Sequence, residues 1–165
     1  MTVWPLQKDC DAFYGNPRGA GGDYSRKWAA AHLTHVMCPW PLKMGTLSVP
    51  YIPINTACAE SLAHILAASW DAEKHDPAVI AAEHLDQFSG SFNYRPKRGM
   101  TSLSMHAYGA AIDWDAPHNA QHAVKHFFTE NSLMVQKFKA EGWIWGGNWQ
   151  GESIDAMHVQ AARIR

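Results

Sequence analysis

The chain has 165 residues, enough for one domain with an ordinary core, and 14 Lys plus Arg against 15 Asp plus Glu leave a formal charge of −1. No broad electrostatic field draws it to nucleic acid or to an anionic membrane surface. Only 18% of residues are charged while 47% are apolar and eight are Trp, which excludes a disordered chain.

No run approaches the ~18 apolar residues of a membrane span, because His, Lys, Asp or Glu interrupts every candidate, so no membrane insertion is expected. Residues 1–9 lack the basic start and apolar run of a secretory signal, and synthesis in the cytoplasm is expected. Cys10, Cys38 and Cys58 are too few, and odd in number, for a disulfide framework. Reduced thiols and a monomeric chain are the expectation.

Residues 14–22 carry turn formers at nearly every position, without the closing Gly-Lys-Ser/Thr of a phosphate loop, and read as a surface loop. Over residues 34–55, Pro39, Pro41, Pro50 and Pro53 punctuate short apolar runs, the pattern of short, irregular or edge strands. Ala59, Leu62, Ile65, Leu66 and Trp70 then recur at helical spacing, with Asn55 or Thr56 as the cap of a helix reaching about Glu73. Asp76-Pro77 opens a shorter helix to about Leu85.

Residues 88–94 alternate as a strand does and end in a basic turn, Arg95-Pro-Lys-Arg-Gly99, whose Lys97 and Arg98 read as solvated turn charges. Residues 111–115 form a second strand, and residues 119–141 are predicted helical, with a break at Asn131-Ser132 and a stop at Gly142. Trp143-Ile-Trp145, a Gly146-Gly147 turn and Met157-His-Val159 complete the chain. Trp143, Trp145 and Trp149 read as packing rather than as a substrate wall. Helices and strands alternate without regular βαβ spacing, so the class is α+β, a small antiparallel sheet with flanking helices in a single domain over residues 1–165.

Ten His residues supply ligands or bases. His32 with His35, and His122 with His126, have helical spacing, but neither pair has a third ligand beside it, and Ala123 stands where a zinc-protease helix has Glu. Ser104-Met-His106-Ala-Tyr-Gly109-Ala-Ala111-Ile-Asp113 places a His before a Gly turn and an Asp in the next strand, so both side chains can converge. Asp155-Ala-Met-His158 adds a second imidazole and a second carboxylate. Two His and one carboxylate are a common catalytic zinc set, and a further carboxylate nearby can take a proton from water. On spacing alone, His106 and His158 fit equally as buried histidines hydrogen-bonded to Asp113 and Asp155. Asp115 and Glu152 read as isolated surface carboxylates.

The order Ser-x-His-x-x-Gly-x-Ala-x-Asp, Trp145-Gly-Gly-Asn-Trp149 and Asp155-Ala-Met-His158, preceded by Asn93-Tyr94-Arg95, resembles the zinc peptidases that include D-alanyl-D-alanine carboxypeptidases and phage L-alanyl-D-glutamate endolysins. Phe13-Tyr-Gly-Asn-Pro17 is similar to the opening of phage-encoded members. The resemblance is carried by residues 88–160 and implies a fold like that of the D,D-peptidases and hedgehog domains. It further implies one Zn2+ held by His106, Asp113 and His158, with Asp155 as the base. Arg95, on a strand, would bind a substrate carboxylate or the oxyanion, and Ser104 would line the site.

The implied substrate is bacterial peptidoglycan, cut in its stem peptides by a lytic L-alanyl-D-glutamate-type endopeptidase or, alternatively, by a D-alanyl-D-alanine carboxypeptidase. Such an enzyme acts on the wall after release from the cell, as a phage-encoded protein does. A zinc-containing binding or virion protein is the reading from another class, since hedgehog domains keep the metal without hydrolysis. Val159-Gln160 departs from the aromatic residue and Glu that follow the last His in many relatives, a change that bears on the partners of the ligands rather than the ligands themselves.

Overall fold

A computed structural model describes residues 2–165. In chain order it holds helices α1 (Cys10–Tyr14) and α2 (Arg26–His32), strands β1 (Leu33–Met44) and β2 (Leu47–Asn55), and helices α3 (Thr56–Ala72) and α4 (Pro77–Ala82). Strands β3 (Phe88–Gly90) and β4 (Ala111–Trp114), helix α5 (Leu133–Ala140), and strands β5 (Ile144–Trp145) and β6 (His158–Gln160) follow. Five helices and two small antiparallel sheets make one α+β domain, as the alternating patterns imply. Among the described residues no helix is long and apolar enough to cross a membrane, and Cys10, Cys38 and Cys58 are free thiols.

The proline-punctuated stretch forms longer strands than expected. β1 and β2 pair as an antiparallel ribbon whose register shifts between Met37 and Leu42. Pro39 and Pro41 fall inside that shift and Pro50 faces it, so their missing N–H groups remove few ladder bonds. A two-stranded ribbon also leaves alternate N–H groups of each strand unpaired, which is how Pro53 can sit opposite His35.

Helix α3 starts where the ribbon ends, because Asn55 Oδ1 accepts the Ala57 N–H at 3.0 Å. Cys58, Leu62, Ile65 and Leu66 then bury one face against β1 and α5, each Leu or Ile stabilising the fold by about 1.5–3 kcal/mol. Asp76 caps α4 by accepting the Ala78 N–H at 2.9 Å, with Pro77 at the first helical position, but the helix ends at Ala82.

The second sheet has the order β3-β4-β6-β5, all antiparallel. One side of its core is a run of edge-to-face aromatic pairs, Trp114 with Phe138, Phe138 with Trp143 and Trp143 with Trp4. Strand β3 stops at Gly90, short of the expected Tyr94, since the Asn93 N–H turns away to the His106 carbonyl at 3.1 Å. Arg95 therefore lies outside any strand, its carbonyl accepting the Ser104 N–H at 3.1 Å.

The helix expected over residues 119–141 is confined to α5. Upstream, side chains take over the backbone's bonding: Asn119 Oδ1 accepts the Phe128 N–H at 2.8 Å, Asn119 Nδ2 donates to the Asp115 carbonyl at 3.0 Å, and His122 adopts φ 70°. Val124 and Phe127, apolar residues within that expected helix, are exposed.

The ribbon buttresses the sheet that carries the conspicuous motifs. The Asn55 N–H donates to the Gly109 carbonyl at 2.8 Å and Asn55 Nδ2 to the Tyr108 carbonyl at 3.0 Å. Gly109 has φ +64°, and a Cβ there would come within 2.7 Å of Leu33 Cδ2, so both the turn and the contact require glycine.

Candidate metal centre

Ser104 begins the site by capping a short 3₁₀ helix, Met105–Tyr108; its Oγ accepts the His106 N–H at 3.3 Å. Gly109 then reverses the chain into β4, where Asp113 lies directly opposite His158 of β6, so both side chains project from the same face of the sheet. His106 Nε2, Asp113 Oδ1 and His158 Nδ1 meet in a triangle with sides of 3.1 to 3.2 Å. Each of these three side chains is at most 21% exposed.

Hydrogen bonds on the far side of each ring fix which nitrogen faces inward. His106 Nδ1 donates to the Ser91 carbonyl at 2.6 Å, leaving Nε2 as a lone pair. The Gln160 amide donates its Nε2 to the Ala162 carbonyl at 2.9 Å, so its Oε1, 3.0 Å from His158 Nε2, is the acceptor there and His158 Nδ1 keeps its lone pair. Two lone pairs and a carboxylate therefore converge with no donor among them, an arrangement that calls for a cation at its centre.

A tetrahedral ion with ligands at 2.0–2.2 Å spaces its donors about 3.3–3.6 Å apart, within a few tenths of an ångström of the triangle seen. The donor set fits zinc. Burial alone would raise the Asp113 carboxyl, but in the metal-free chain the positive charge and N–H that His106 and His158 turn toward it when protonated override burial and hold that carboxyl well below the usual range. Burial alone would lower His158, yet the Asp113 carboxylate reverses the direction and holds it above the usual imidazole range.

The triangle opens into a cavity of about 910 Å³ that is also lined by Arg95, Ser104 and Asp155. Arg95, Ser104, His106, Asp155 and His158 thus reach one space, and Asp113 adjoins it through its contacts with the two imidazoles. Asp155 is anchored by its own N–H on the Gly146 carbonyl at 3.0 Å, and a Cβ on Gly146 would come within 2.4 Å of the Asp155 carbonyl. Gly146 thus permits the close approach of the Asp155 backbone, while a Cβ on Gly147 would strike the Trp145 ring. Asp155 Oδ1 is buried without a hydrogen-bond partner, and burial raises its carboxyl above the usual range against the opposing charge of His158.

Several residues emerge from the structure alone. Trp149, read as packing, lines the cavity 5.4 Å from the His158 ring, and its indole N–H is also without a partner; Trp143 and Trp145 are core residues as expected. Ser91 acts through its carbonyl, and Gln160 through the tautomer it imposes, neither of which leaves a spacing signal. Lys97 is half-buried and Arg98 is an exposed turn residue, as read, and both line the cavity. Glu152 is exposed and also lines it.

Asp115, read as a surface carboxylate, is 2% exposed and forms a second cluster with His84 and His118. His84 Nδ1 lies 2.5 Å and His118 Nδ1 2.8 Å from its oxygens, and Asn119 Nδ2 adds a third donor at 3.3 Å. The two His–Asp115 lengths are direct hydrogen bonds, shorter than the sides of the His106–Asp113–His158 triangle and further from the spacing of donors around a tetrahedral ion. The other His pairs do not converge: His35 stacks on Tyr51, while His126 Nδ1 donates to the Phe128 carbonyl at 2.6 Å.

Residues 98–161 match a family model described as D-alanyl-D-alanine carboxypeptidase. The match supports that peptidase family. It spans well under half of the chain, yet includes His106, Asp113, Asp155 and His158 and stops short of Arg95. Comparison with curated proteins and with solved structures finds no match.

Proposed function

We propose that the chain is a zinc peptidase that hydrolyses a peptide bond in the stem peptides of bacterial peptidoglycan. The observation that carries this reading is the inward-facing triangle of His106, Asp113 and His158, whose two imidazoles line the same open cavity as the unpartnered Asp155 carboxylate. One zinc ion held by His106, Asp113 and His158 supplies Lewis-acid polarisation and an activated water at neutral pH.

The protein's own groups do the rest. Asp155 accepts the proton given up as water attacks the carbonyl and returns it to the leaving amine; its raised carboxyl is suited to both directions. Arg95 presents fixed positive charge to the substrate, to anchor a carboxylate or to stabilise the oxyanion. Ser104 lines the site and, as the cap of the 3₁₀ helix, holds His106 in place.

The description of the matching family supports stem peptides as the substrate class. The cavity, about 910 Å³ and near the top of the range for small-molecule sites, has room for several residues of a peptide. The first reading is a lytic endopeptidase of the L-alanyl-D-glutamate type. The same family description favours D-alanyl-D-alanine carboxypeptidase activity as the second reading.

Digestion of purified peptidoglycan, with new termini identified by mass spectrometry, separates the two. New C-terminal L-alanine and N-terminal D-glutamate are expected; release of D-alanine alone establishes the second reading, and intact stem peptides overturn both.

A further inference from the structure

Asp155 takes its position from the turn that carries it, since its buried Oδ1 has no partner to clamp it. That turn is a weak element. Residues 149–155 hold one short 3₁₀ helix, Gly151–Ser153, closed by the Ser153 N–H on the Gln150 carbonyl at 3.1 Å and the Ile154 N–H on the Gly151 carbonyl at 3.3 Å. Gln150, Gly151, Glu152 and Ser153 are all exposed, so little apolar burial fixes the segment.

A single residue straps it to the rest of the domain. The His122 N–H donates to the Ile154 carbonyl at 2.8 Å, and the His122 ring donates from Nδ1 to the Glu152 carbonyl. Among the described residues, every hydrogen bond that reaches 149–155 from outside 144–160 comes from His122. The peptide group joining Ile154 to Asp155 is thereby held at both ends, its carbonyl by His122 and its N–H by the Gly146 carbonyl at 3.0 Å.

The strap requires an unusual backbone. The Ala123 N–H returns to the Ala120 carbonyl at 3.1 Å, closing a turn whose third residue is His122 with φ 70°. Gly or Asn is the usual occupant of such a position, and a ring-bearing residue there is strained. His122 is exposed, so packing does not account for it; the work its ring does is the bond to Glu152. The loop itself is anchored, because Asn119 Nδ2 donates to the Asp115 carbonyl at 3.0 Å, just past the strand that bears Asp113. Metal ligand and base are in this way tied to each other from outside the triangle.

We propose that His122 is a positioning residue, which holds the Asp155-bearing turn at the metal centre through its ring Nδ1–H and its backbone N–H. It acts through Asp155 and not on the reacting atoms. Its value to catalysis rests on the peptidase reading; the strap itself does not.

Two substitutions isolate the Nδ1 bond. Asn carries an amide N–H at the same place along the side chain as Nδ1 and tolerates a positive φ, whereas Gln carries it further out. On a soluble stem peptide, zinc-loaded His122→Gln is expected to lose about 10- to 100-fold in kcat, with KM and zinc content unchanged, and His122→Asn to restore it. In an Asp155→Asn background His122→Gln should cost nothing more, because the base it places is gone. An equal loss in His122→Asn and His122→Gln, no loss in either, or losses that multiply in the double variant overturn the assignment.

Hydrogen exchange needs no substrate and so separates this failure from that of the peptidase reading. The amides of residues 151–156 should exchange faster in His122→Gln than in the unaltered protein, and at the unaltered rate in His122→Asn. Faster exchange in a chain that leaves peptidoglycan intact keeps the strap and overturns the peptidase reading. Unchanged exchange in His122→Gln overturns the strap, whatever the chain cleaves.

Discussion

His158 presents Nδ1 to the metal triangle because Gln160, two residues along the same strand, accepts from its Nε2 at 3.0 Å. Gln160 can act only as acceptor there, since its own amide nitrogen is committed to the Ala162 carbonyl at 2.9 Å. A neutral amide thus does the orienting that a carboxylate does in many metal sites. Gln160→Leu is expected to weaken zinc binding by about 10- to 100-fold while the far-ultraviolet circular dichroism stays unchanged. Competition with a chelating dye measures it, and undiminished affinity would show that the tautomer is fixed by something else.

Asp155 is the group whose loss should separate chemistry from binding. Asp155→Asn keeps the three ligands and the cavity, so zinc content should remain that of the unaltered protein while kcat falls by about 10²–10⁴, the usual worth of a general base. Parallel measurements of metal content and turnover decide the point. Full activity in the variant removes Asp155 from the proposed mechanism.

Protons compete with the metal for His158. The Asp113 carboxylate holds that imidazole above its ordinary value in the metal-free chain, and a protonated ring cannot ligate. Affinity should therefore begin to fall at a pH above the usual histidine range, and fall further as the solution is acidified. Zinc titrations at a series of pH values between neutrality and about pH 5 follow this directly; flat affinity across the window would contradict it.

The second histidine cluster has the opposite expectation. Asp115 is buried and receives His84, His118 and Asn119 as donors, so His84→Leu should leave zinc uptake unaltered. It should instead cost about 1–3 kcal/mol of fold stability, the penalty for depriving a buried carboxylate of a donor. Denaturant melts of variant and unaltered protein, paired with metal analysis, test both halves.

What the chain reveals without coordinates depends on how local each device is. Helix α3 was legible because its cap, Asn55, and its apolar spacing are contiguous, and the convergence of His106 with Asp113 could be anticipated because one glycine turn separates them. Residues 119–132 show the limit: apolar spacing there is helical, but the Asn119 side chain binds the backbone of Asp115 and Phe128 and holds the segment in another path. Asp115 looked like a surface charge because its partner His84 lies 31 positions away. Gln160 and the Ser91 carbonyl were invisible for a different reason, since their effect is on which ring nitrogen carries a proton.

The account rests on a single cation held between His106, Asp113 and His158, and zinc titration of the metal-free protein tests that most directly. One equivalent should bind tightly to the unaltered chain and none to His106→Ala. Tight uptake by His106→Ala, or no uptake by the unaltered protein, would contradict it.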